Sequence, residues 1–585
     1  VDYNATAQSR VDELPGDPKN QANRDTIIAG LASLGRPTQF HHTLNVNWQT
    51  PINKLPFMDF TSASVRYAAN YDWTSNSTAA LNPKSRPEIY FGNTAQNSNS
   101  IQLNSNANFV NLYNQVPFLR KANQGGRPQP VARKRGGAPQ KRGAPQKEGA
   151  KGDKKKDKDP PKILLSAARV AMMLRSASLT FSQTNGTLLP GVITNPVYFG
   201  IDPSALMAPG LDFVFGAQSD VADQAAQNGW LTQNTRQPNQ YQNTFTENLN
   251  FRAVVEPWQD IRLQITATKV SGLNSSSIFR YHDPIQDSTL GLPLGYYHFN
   301  PMEVGNYSIS FLAINSAFEN VDSTYSPVYE TFLNHRVPVS ERLALQRANL
   351  DPTYIPTLIN GVADTTGTRA GYDGFSYNSA DVLVPAFLAA YSGKDPNEVE
   401  LNGRPGLPMP NWNLNFNGLM RIPWFKKNFQ SFTLTHTYKS MYTMSSFQTN
   451  MLLQQRIQNG EPANNIRNTN GDFLPAYQIS QVSISENFGP FVGLNVRLKN
   501  QASLRFDLKK NRQMNLSLVN NQMTDTRGLE VVIGTGYIIK DVSFNVISDG
   551  RRQKITSNLD LKLDFSLRDN QTVIRRIQEN VDQVT

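Results

Sequence analysis

Apolar and polar side chains alternate along much of this chain. In SNLDLKLDFSLRDNQ, residues 557–571, leucine or phenylalanine takes every second position from Leu559 to Leu567, and charged or hydroxyl side chains take the positions between. Successive side chains of a β-strand point to opposite faces, so this pattern predicts a strand with one apolar and one polar face. The same alternation recurs at 42–50, 64–74, 101–109, 412–416, 432–439 and in a hairpin at 245–269 that turns at Pro257.

This alternation is typical of two architectures, a soluble sandwich and a membrane barrel. Three features favour the barrel. Many predicted strands reach the roughly 9–11 residues that a tilted strand needs to cross hydrocarbon, aromatic residues cluster at strand ends and turns, and short turns alternate with very long polar loops. We therefore predict an all-β fold that is part of a very large transmembrane antiparallel β-barrel, with long loops and a small helical insertion.

The alternation also assigns side chains to the two sides of the barrel wall. Hydrocarbon accepts the apolar face, and a water-filled lumen accepts the polar face. The predicted lumen-facing residues are Arg262, Gln264, Thr266, Asn413, Asn415, Thr433, Thr435, Asp560, Lys562 and Asp564. The predicted lipid-facing residues are Leu263, Ile265, Leu414, Leu434, Leu561, Leu563 and Phe565. The predicted interface aromatics are Trp48, Trp73, Trp258 and Trp424.

Changes in composition predict the organisation of the chain. We expect an N-terminal extended or helical segment or loop at 1–40, and barrel strands at 41–118, 163–183, 245–314, 408–445 and 476–585. Long connections are predicted at 119–162 (a disordered basic loop), 184–244, 315–407 (an insertion with short helices, one of them stopping at Gly393) and 446–475. Strand parity does not close across 315–407, so either one strand is missed or this insertion enters the lumen.

Charge and composition narrow the possible functions. From Arg120 to Lys162 there are fifteen Lys and Arg against four acidic residues, and this excess equals the net charge of +11 for the whole chain. The tract is rich in Gly and Pro and lacks interleaved aromatics, which favours a solvated loop over nucleic-acid binding. There is no cysteine, and no apolar run long enough for a helical membrane span. The chain begins with Val1 and lacks a leader pattern, so we interpret it as a processed or truncated piece.

Motifs for chemistry are weak. The six histidines show no metal-ligand spacing beyond the adjacent His41 and His42, which fit a surface or interface pair. Gly534 and Gly536 lie inside a strand pattern, unlike a phosphate loop, and NTNGD at 468–472 fits a turn better than a calcium site. We therefore predict no enzyme activity and no catalytic, cofactor-binding or metal site.

Several long irregular motifs resemble one family. They are VDYNATAQSR (1–10), TNGTLLPG (184–191), APGLDFVFG (208–216), VLVPAFLAAYSGKDPN (382–397), LPMPNWNLNFNGL (407–419), HTYKSMY (436–442) and LDFSLRDNQTVIRRI (563–577). They look like the C-terminal part of the SprA (Sov) family, the outer-membrane translocons of the type IX secretion system of Bacteroidota. The resemblance covers nearly the whole chain apart from the basic tract.

The resemblance implies a function. It suggests a channel in the outer membrane of a Gram-negative bacterium that exports folded cargo proteins from the periplasm, including gliding-motility adhesins. It also implies PorV-like and plug subunits, secreted cargo proteins and outer-membrane lipid or lipopolysaccharide as partners, with no cofactor and no nucleic acid. The alternatives are a TonB-dependent nutrient transporter of the outer membrane and a soluble β-sandwich surface adhesin.

Overall fold

One large antiparallel sheet forms the framework of the protein. The computed structural model describes residues 1–11, 20–32, 35–76, 90–124, 168–286, 291–319, 325–359, 370–548, 551–577 and 581–584. The strands are β1 (Asp2–Arg10), β2 (Arg36–Thr50), β3 (Thr61–Thr74), β4 (Asn93–Asn108), β5 (Leu174–Val192), β6 (Tyr241–Val255), β7 (Ile261–His282), β8 (Gly295–Ser310), β9 (Leu358–Ile359), β10 (Gly371–Tyr372), β11 (Phe375–Ser376), β12 (Asn411–Phe416), β13 (Phe429–Thr449), β14 (Tyr477–Ile479), β15 (Gln481–Leu498), β16 (Ala502–Ser517), β17 (Gln522–Ser548), β18 (Arg551–Arg576) and β19 (Val581–Val584). The predicted all-β fold is confirmed.

Neighbours in the sheet are mostly neighbours in sequence. The order runs from β1 to β7, then β12, β13, β15, β16, β17, β18 and β19, with β14 paired to β13. Strands β9, β10 and β11 form a separate small sheet. Within the described residues, the strands at the two ends of the large sheet do not pair with each other. These strands therefore form an open sheet with mostly hairpin connections.

The space between β7 and β13 is filled by two strands placed end to end. β8 pairs with both β7 and β13 as far as Ser310, and β12 continues between the same neighbours from Asn411. The segment between them leaves the sheet at Ser310 and returns beside it, since Met409 donates its backbone N–H to the carbonyl of Ser310 at 2.9 Å. This split strand explains why strand parity did not close in the sequence, because β8 and β12 together count as one crossing.

Two long insertions pack on the sheet. Insertion 1 is residues 193–240 and contains the helices α4 (Leu211–Val214) and α5 (Val221–Gln227). Insertion 2 is residues 311–410 and contains α6 (Pro327–Leu350), α7 (Ala380–Ser392) and the small sheet. Each insertion forms an apolar core with the strands beneath it. The predicted helices of insertion 2 are confirmed, and Gly393, with φ of 69°, ends α7.

The remaining helices are short. They are α1 (Gln21–Ala32), α2 (Phe109–Gln115), α3 (Pro117–Gln124), α8 (Pro423–Asn428) and α9 (Met451–Gln458), numbered with the others in chain order. Among the helices that the structure describes, none is long and apolar enough to cross a membrane.

Several boundaries differ from the sequence prediction. β5 begins at Leu174 and continues to Val192, so the strand at 163–183 was placed too early and 184–192 is not loop. β13 continues to Thr449, beyond the predicted end at 445. Polar residues such as Asn185 led to the loop prediction. They belong to strands instead, and their side chains have hydrogen-bond partners. The predicted basic loop lies outside the described residues except for 119–124, which end α3.

Candidate functional site: the two faces of the sheet

The strand register separates apolar and polar side chains into two continuous faces. Residues directly opposite each other on antiparallel strands point to the same face. One row across six strands reads Phe416, Leu434, Leu494, Phe506, Ile533 and Phe565. The neighbouring row on the other face reads Thr433, Asn495, Arg505, Gly534 and Asp564. All the predicted lipid-facing residues lie on the first face, and all the predicted lumen-facing residues lie on the second.

The apolar face continues through the first half of the chain. A row there reads Trp48, Val65, Leu103, Phe181 and Leu249. We call these rows and their neighbours the apolar band. On the apolar face it covers residues 44–48 of β2, 177–181 of β5, 261–267 of β7, 504–508 of β16 and 559–567 of β18. It therefore crosses the sheet from one side to the other.

The apolar band is exposed in the described structure. Leu563 is 70% exposed and Phe565 65% exposed, and Ile533 and Leu504 are about half exposed. An exposed apolar surface of this extent indicates contact with another apolar phase or protein. The stretch from Leu559 to Leu567 is about 26 Å long at roughly 3.3 Å per residue. Tilted by about 40°, it rises about 20 Å, close to the roughly 25 Å apolar belt of outer-membrane barrels.

The opposite face is hydrophilic. β16 presents to it Ser503, Arg505, Asp507, Lys509, Asn511, Gln513, Asn515 and Ser517. Two ion pairs lie on this face: Arg505 lies 2.6 Å from Asp507, and Lys509 lies 3.1 Å from Glu530. Two open concavities of about 440 and 550 Å³ lie on this face, lined mainly by Ser, Thr, Asn, Gln, Lys and Arg. The face is therefore hydrophilic along its length.

Insertion 1 covers the part of the apolar face beyond the band. The carbonyl of Val214 lies 2.9 Å from Nε2 of His42. Asn97 donates from Nδ2 to the carbonyl of Phe213 at 2.8 Å, and Asn99 donates to that of Gly216 at 2.6 Å. Polar side chains of the strands thus satisfy backbone carbonyls of the insertion, which fixes its position on the sheet.

Insertion 2 is held in the same way farther along the sheet. The guanidinium of Arg512 binds the carboxylate of Asp525 at 2.8 Å and donates to the carbonyl of Ser316 at 3.1 Å. The hydroxyl of Tyr442 donates to the carbonyl of Gly403 at 2.9 Å. The described residues of both insertions therefore pack on the apolar face, opposite the face predicted to line the lumen.

The two ends of the strands differ. Short connections lie at the end nearest the band, at 51–60, 256–260, 417–428 and 499–501, and we call this end the short-turn rim. The β4–β5 connection, which contains the basic tract, also leaves from it. The connections at 193–240 and 450–476 lie at the opposite end, together with the short β16–β17 turn at 518–521. Trp48, Trp258 and Trp424 are exposed at or near the short-turn rim, where an aromatic girdle is expected.

One predicted interface aromatic is placed differently. Trp73 is only 2% exposed, because insertion 1 covers it, and its indole N–H donates to the carbonyl of Thr194 at 3.1 Å. The prediction that Trp73 lies at a membrane interface is wrong. Its alternation with polar neighbours resembled that of Trp48, but its partner is protein.

The side chains that could bind a metal or act in catalysis are scattered over the part of the chain that the structure describes. It contains no group of three or more His, Asp or Glu that could hold a metal ion. His41 lies 2.6 Å from Asp72, whereas His42 is buried under insertion 1, so the two rings lie on opposite faces. Residues 468–472 form a turn, in which Asn468 accepts N–H groups from Asn470 and Asp472. The turn prediction for NTNGD is confirmed.

Comparisons with known proteins give only distant similarities. No family model and no curated protein matches the sequence. Similar solved structures include the copper transporter OprC, with 7% identity, a TM-score of 0.24, and coverage of 94% of this chain and 55% of that one. A mutant of the ferric enterobactin receptor PfeA from Pseudomonas aeruginosa has 7% identity, a TM-score of 0.24, and coverage of 92% and 51%.

A third similar structure is the outer membrane transporter YddB from Escherichia coli. It has 7% identity, a TM-score of 0.21, and coverage of 98% of this chain and 73% of that one. The chain spans about half the length of the first two structures. At these TM-scores the similarities do not establish a common function.

Proposed function

We propose that the sheet is part of the wall of an outer-membrane β-barrel, and that this barrel is a protein-conducting channel of the type IX secretion kind. The observation that carries the proposal is the exposed apolar band on one face, set against a hydrophilic opposite face. Hydrocarbon stabilises the band, and water fills the side lined by the polar face. The exposed aromatics at the short-turn rim add the interfacial girdle of such a barrel.

The placement of the insertions favours a wide pore. The described residues of insertions 1 and 2 pack on the apolar face, and none of these residues occupies the polar side of the sheet. A wall of Asn, Thr, Gln and charged side chains of both signs makes few strong contacts with a passing protein surface. This suits export of folded cargo better than tight capture of one small nutrient, which uses a few converging polar groups in a concave site.

The resemblance of the sequence to the SprA (Sov) family supports the specific assignment. It suggests PorV-like and plug subunits, secreted cargo and outer-membrane lipid as partners of the chain. No nucleotide motif accompanies the strands, so the driving force for export would come from such partners.

Charge placed on each face tests the proposal. Leu563→Arg puts a cation on the apolar band, at a cost of about 2–4 kcal/mol near the bilayer midplane. Ser566→Arg puts the same side chain on the polar face of the same strand. We expect Leu563→Arg to reduce the amount of protein recovered from the outer membrane by detergent extraction. Ser566→Arg and Asp564→Asn should leave recovery unchanged.

Two outcomes oppose the proposal. Equal recovery of Leu563→Arg and Ser566→Arg would contradict the lipid contact of the band, and recovery of the parent protein without detergent would favour the soluble adhesin. For a correctly assembled barrel, secretion of cargo is then compared with nutrient uptake in cells that lack the protein. Loss of uptake with intact secretion would favour the TonB-dependent alternative.

A further inference from the structure

A short segment of insertion 1 exposes large apolar side chains. Phe199 is 58% exposed and Leu206 71% exposed, and Val197, Tyr198 and Met207 are also exposed. In contrast, Ile201 and Ala208 of the same segment are buried. The segment therefore has its own anchor in the core and still directs its largest apolar side chains outward.

The backbone adopts unfavourable conformations at three of these residues, and these conformations direct the side chains outward. Phe199, Leu206 and Met207 have φ of 53°, 54° and 62°, in the left-handed region that favours Gly and Asn. Antiparallel bridges from Tyr198 to Ile201 and from Asp202 to Ala208 close the two turns. Bulky apolar residues at strained, exposed positions do not stabilise the insertion itself, so their use indicates a function outside it.

The segment carries little charge on its surface. Between 193 and 211, Asp202 is the one charged residue. Its carboxylate accepts the backbone N–H of Ser204 at 3.0 Å and the Ser204 hydroxyl at 2.6 Å. The charge is thus engaged within the turn, and the exposed tips carry none.

The segment lies at the boundary between the apolar band and insertion 1. The Phe199 ring contacts the ring of Tyr3 edge-on, with 6.0 Å between centroids. Tyr3 is paired with Leu44, the first band residue of β2. Gly200 next to it packs against Tyr71 beneath the insertion. The exposed segment therefore continues the apolar band on the same face of the sheet.

Insertion 2 presents a similar aromatic next to the apolar band. Phe318 is exposed, and its ring lies 5.4 Å from that of Phe488 and 5.5 Å from that of Phe491. Phe488 stands one row beyond Val492 of the band. The ammonium of Lys510 lies 4.8 Å from the centre of the Phe318 ring. An aromatic ring beside an ammonium group suits a boundary between acyl chains and headgroups.

We propose that insertion 1 rests on the membrane surface, with Tyr198, Phe199, Leu206 and Met207 inserted between the lipid headgroups, and that Phe318 does the same for insertion 2. The proposal rests on the proposed function, since it needs the apolar band to lie in a bilayer. Continuity with the band, uncharged tips and aromatic side chains favour lipid as the occupant over a protein subunit. The contact would fix the height of the chain in the membrane and hold the insertions away from the polar face.

The absence of cysteine from the sequence allows a direct test. Single-cysteine variants Tyr198→Cys and Leu206→Cys are labelled with an environment-sensitive fluorophore, and the full chain is placed in phosphatidylcholine nanodiscs that contain a nitroxide lipid. Leu563→Cys reports on the band, and Gln227→Cys, on the exposed side of α5, reports on water. We expect quenching at 198 and 206 by a headgroup nitroxide, at 563 by an acyl-chain nitroxide, and none at 227.

The outcomes separate the two proposals. Quenching at 563 with 198 and 206 behaving like 227 would overturn the membrane contact and leave the barrel intact. Absence of quenching at 563 would contradict the barrel itself and, with it, the membrane contact of insertion 1. A fluorophore at 206 that is shielded from water but not quenched by either lipid would show that a protein subunit covers the segment.

A second variant separates contact from folding. Asn tolerates the left-handed conformation better than Phe, so Phe199→Asn should keep the turn and the thermal midpoint while it removes the apolar tip. We expect headgroup quenching at 206 to fall roughly twofold or more, as buried apolar area sets interfacial binding. Unchanged quenching in this variant would contradict a role for Phe199 in the contact.

Discussion

Replacing Arg512 should release insertion 2 from the sheet. The Arg512 side chain is 2% exposed and that of Asp525 is 6% exposed. Besides the ion pair with Asp525, the Arg512 guanidinium donates to the carbonyl and the hydroxyl of Ser316 at 3.1 and 3.2 Å. One side chain thus joins β16, β17 and the first turn of insertion 2. Arg512→Met keeps a long apolar stem but leaves the buried carboxylate and the Ser316 groups without this donor.

The structure sets the expected size of the effect. Removing one partner of a buried ion pair costs about 3–5 kcal/mol. Arg527 also binds Asp525, at 2.9 Å, and stays in place, so we expect the lower end, about 3 kcal/mol. The control is Lys509→Met, three residues away on the polar face, where Lys509 pairs with Glu530 and both are partly exposed. An exposed pair contributes about 1 kcal/mol or less.

Hydrogen exchange measures this difference locally. In detergent micelles, backbone amides at 313–319 and in α6 should exchange faster in Arg512→Met than in the parent, and those of Lys509→Met should match the parent. Adding Asp525→Leu to Arg512→Met removes the unpaired carboxylate and should restore part of the protection. Equal exchange in Arg512→Met and Lys509→Met would refute the assignment of Arg512 as the anchor of insertion 2.

Two further predictions concern the insertions. Gly200 has φ of 88°, and a Cβ there would lie 2.6 Å from a ring carbon of Tyr71, so Gly200→Ala should destabilise insertion 1 by about 2–3 kcal/mol in thermal unfolding. Gly229→Ala, with positive φ but open space, should cost only about 1 kcal/mol, and equal losses would contradict the packing argument. In α7, burial and the nearby Asp472 carboxylate raise the pKa of Asp381 to about 6. The folded state then binds the proton more tightly than the unfolded state, so stability falls as pH rises from about 4 to about 6. Asp381→Asn should be more stable than the parent above pH 6, by less than about 3 kcal/mol, and no more stable near pH 4. A gain that is the same at both pH values would contradict this.

The sequence predicted which residues share a face, because side-chain direction in a strand depends only on parity. Leu263, Leu414 and Leu434 lie on the apolar face, as their alternation requires. The helices of insertion 2 could also be predicted from apolar runs and from Gly393 as a stop. These features are local, and each depends on about twenty consecutive residues of the sequence.

The split strand could not be predicted in this way. Ser310 and Asn411 lie next to each other in the sheet and are separated by the whole of insertion 2. β12 alone is too short to count as a crossing, and only its pairing with β7 and β13 shows that it completes β8. Position within a sheet is a long-range property, whereas alternation is a local one.

The alternation also does not show whether protein or lipid covers a given part of the apolar face. Trp48 and Trp73 lie on the same face of the sheet, and both alternate with polar residues along their strands. Trp48 is exposed at the band, whereas Trp73 is buried under insertion 1. Polar residues on the apolar face mark the difference. Asn97, Asn99 and Arg512 bind carbonyl or carboxylate oxygens of protein, and hydrocarbon would leave them unsatisfied at a high cost. The apolar band therefore ends at the row where such polar side chains begin. Beyond that row, the apolar face must be covered by protein rather than by lipid.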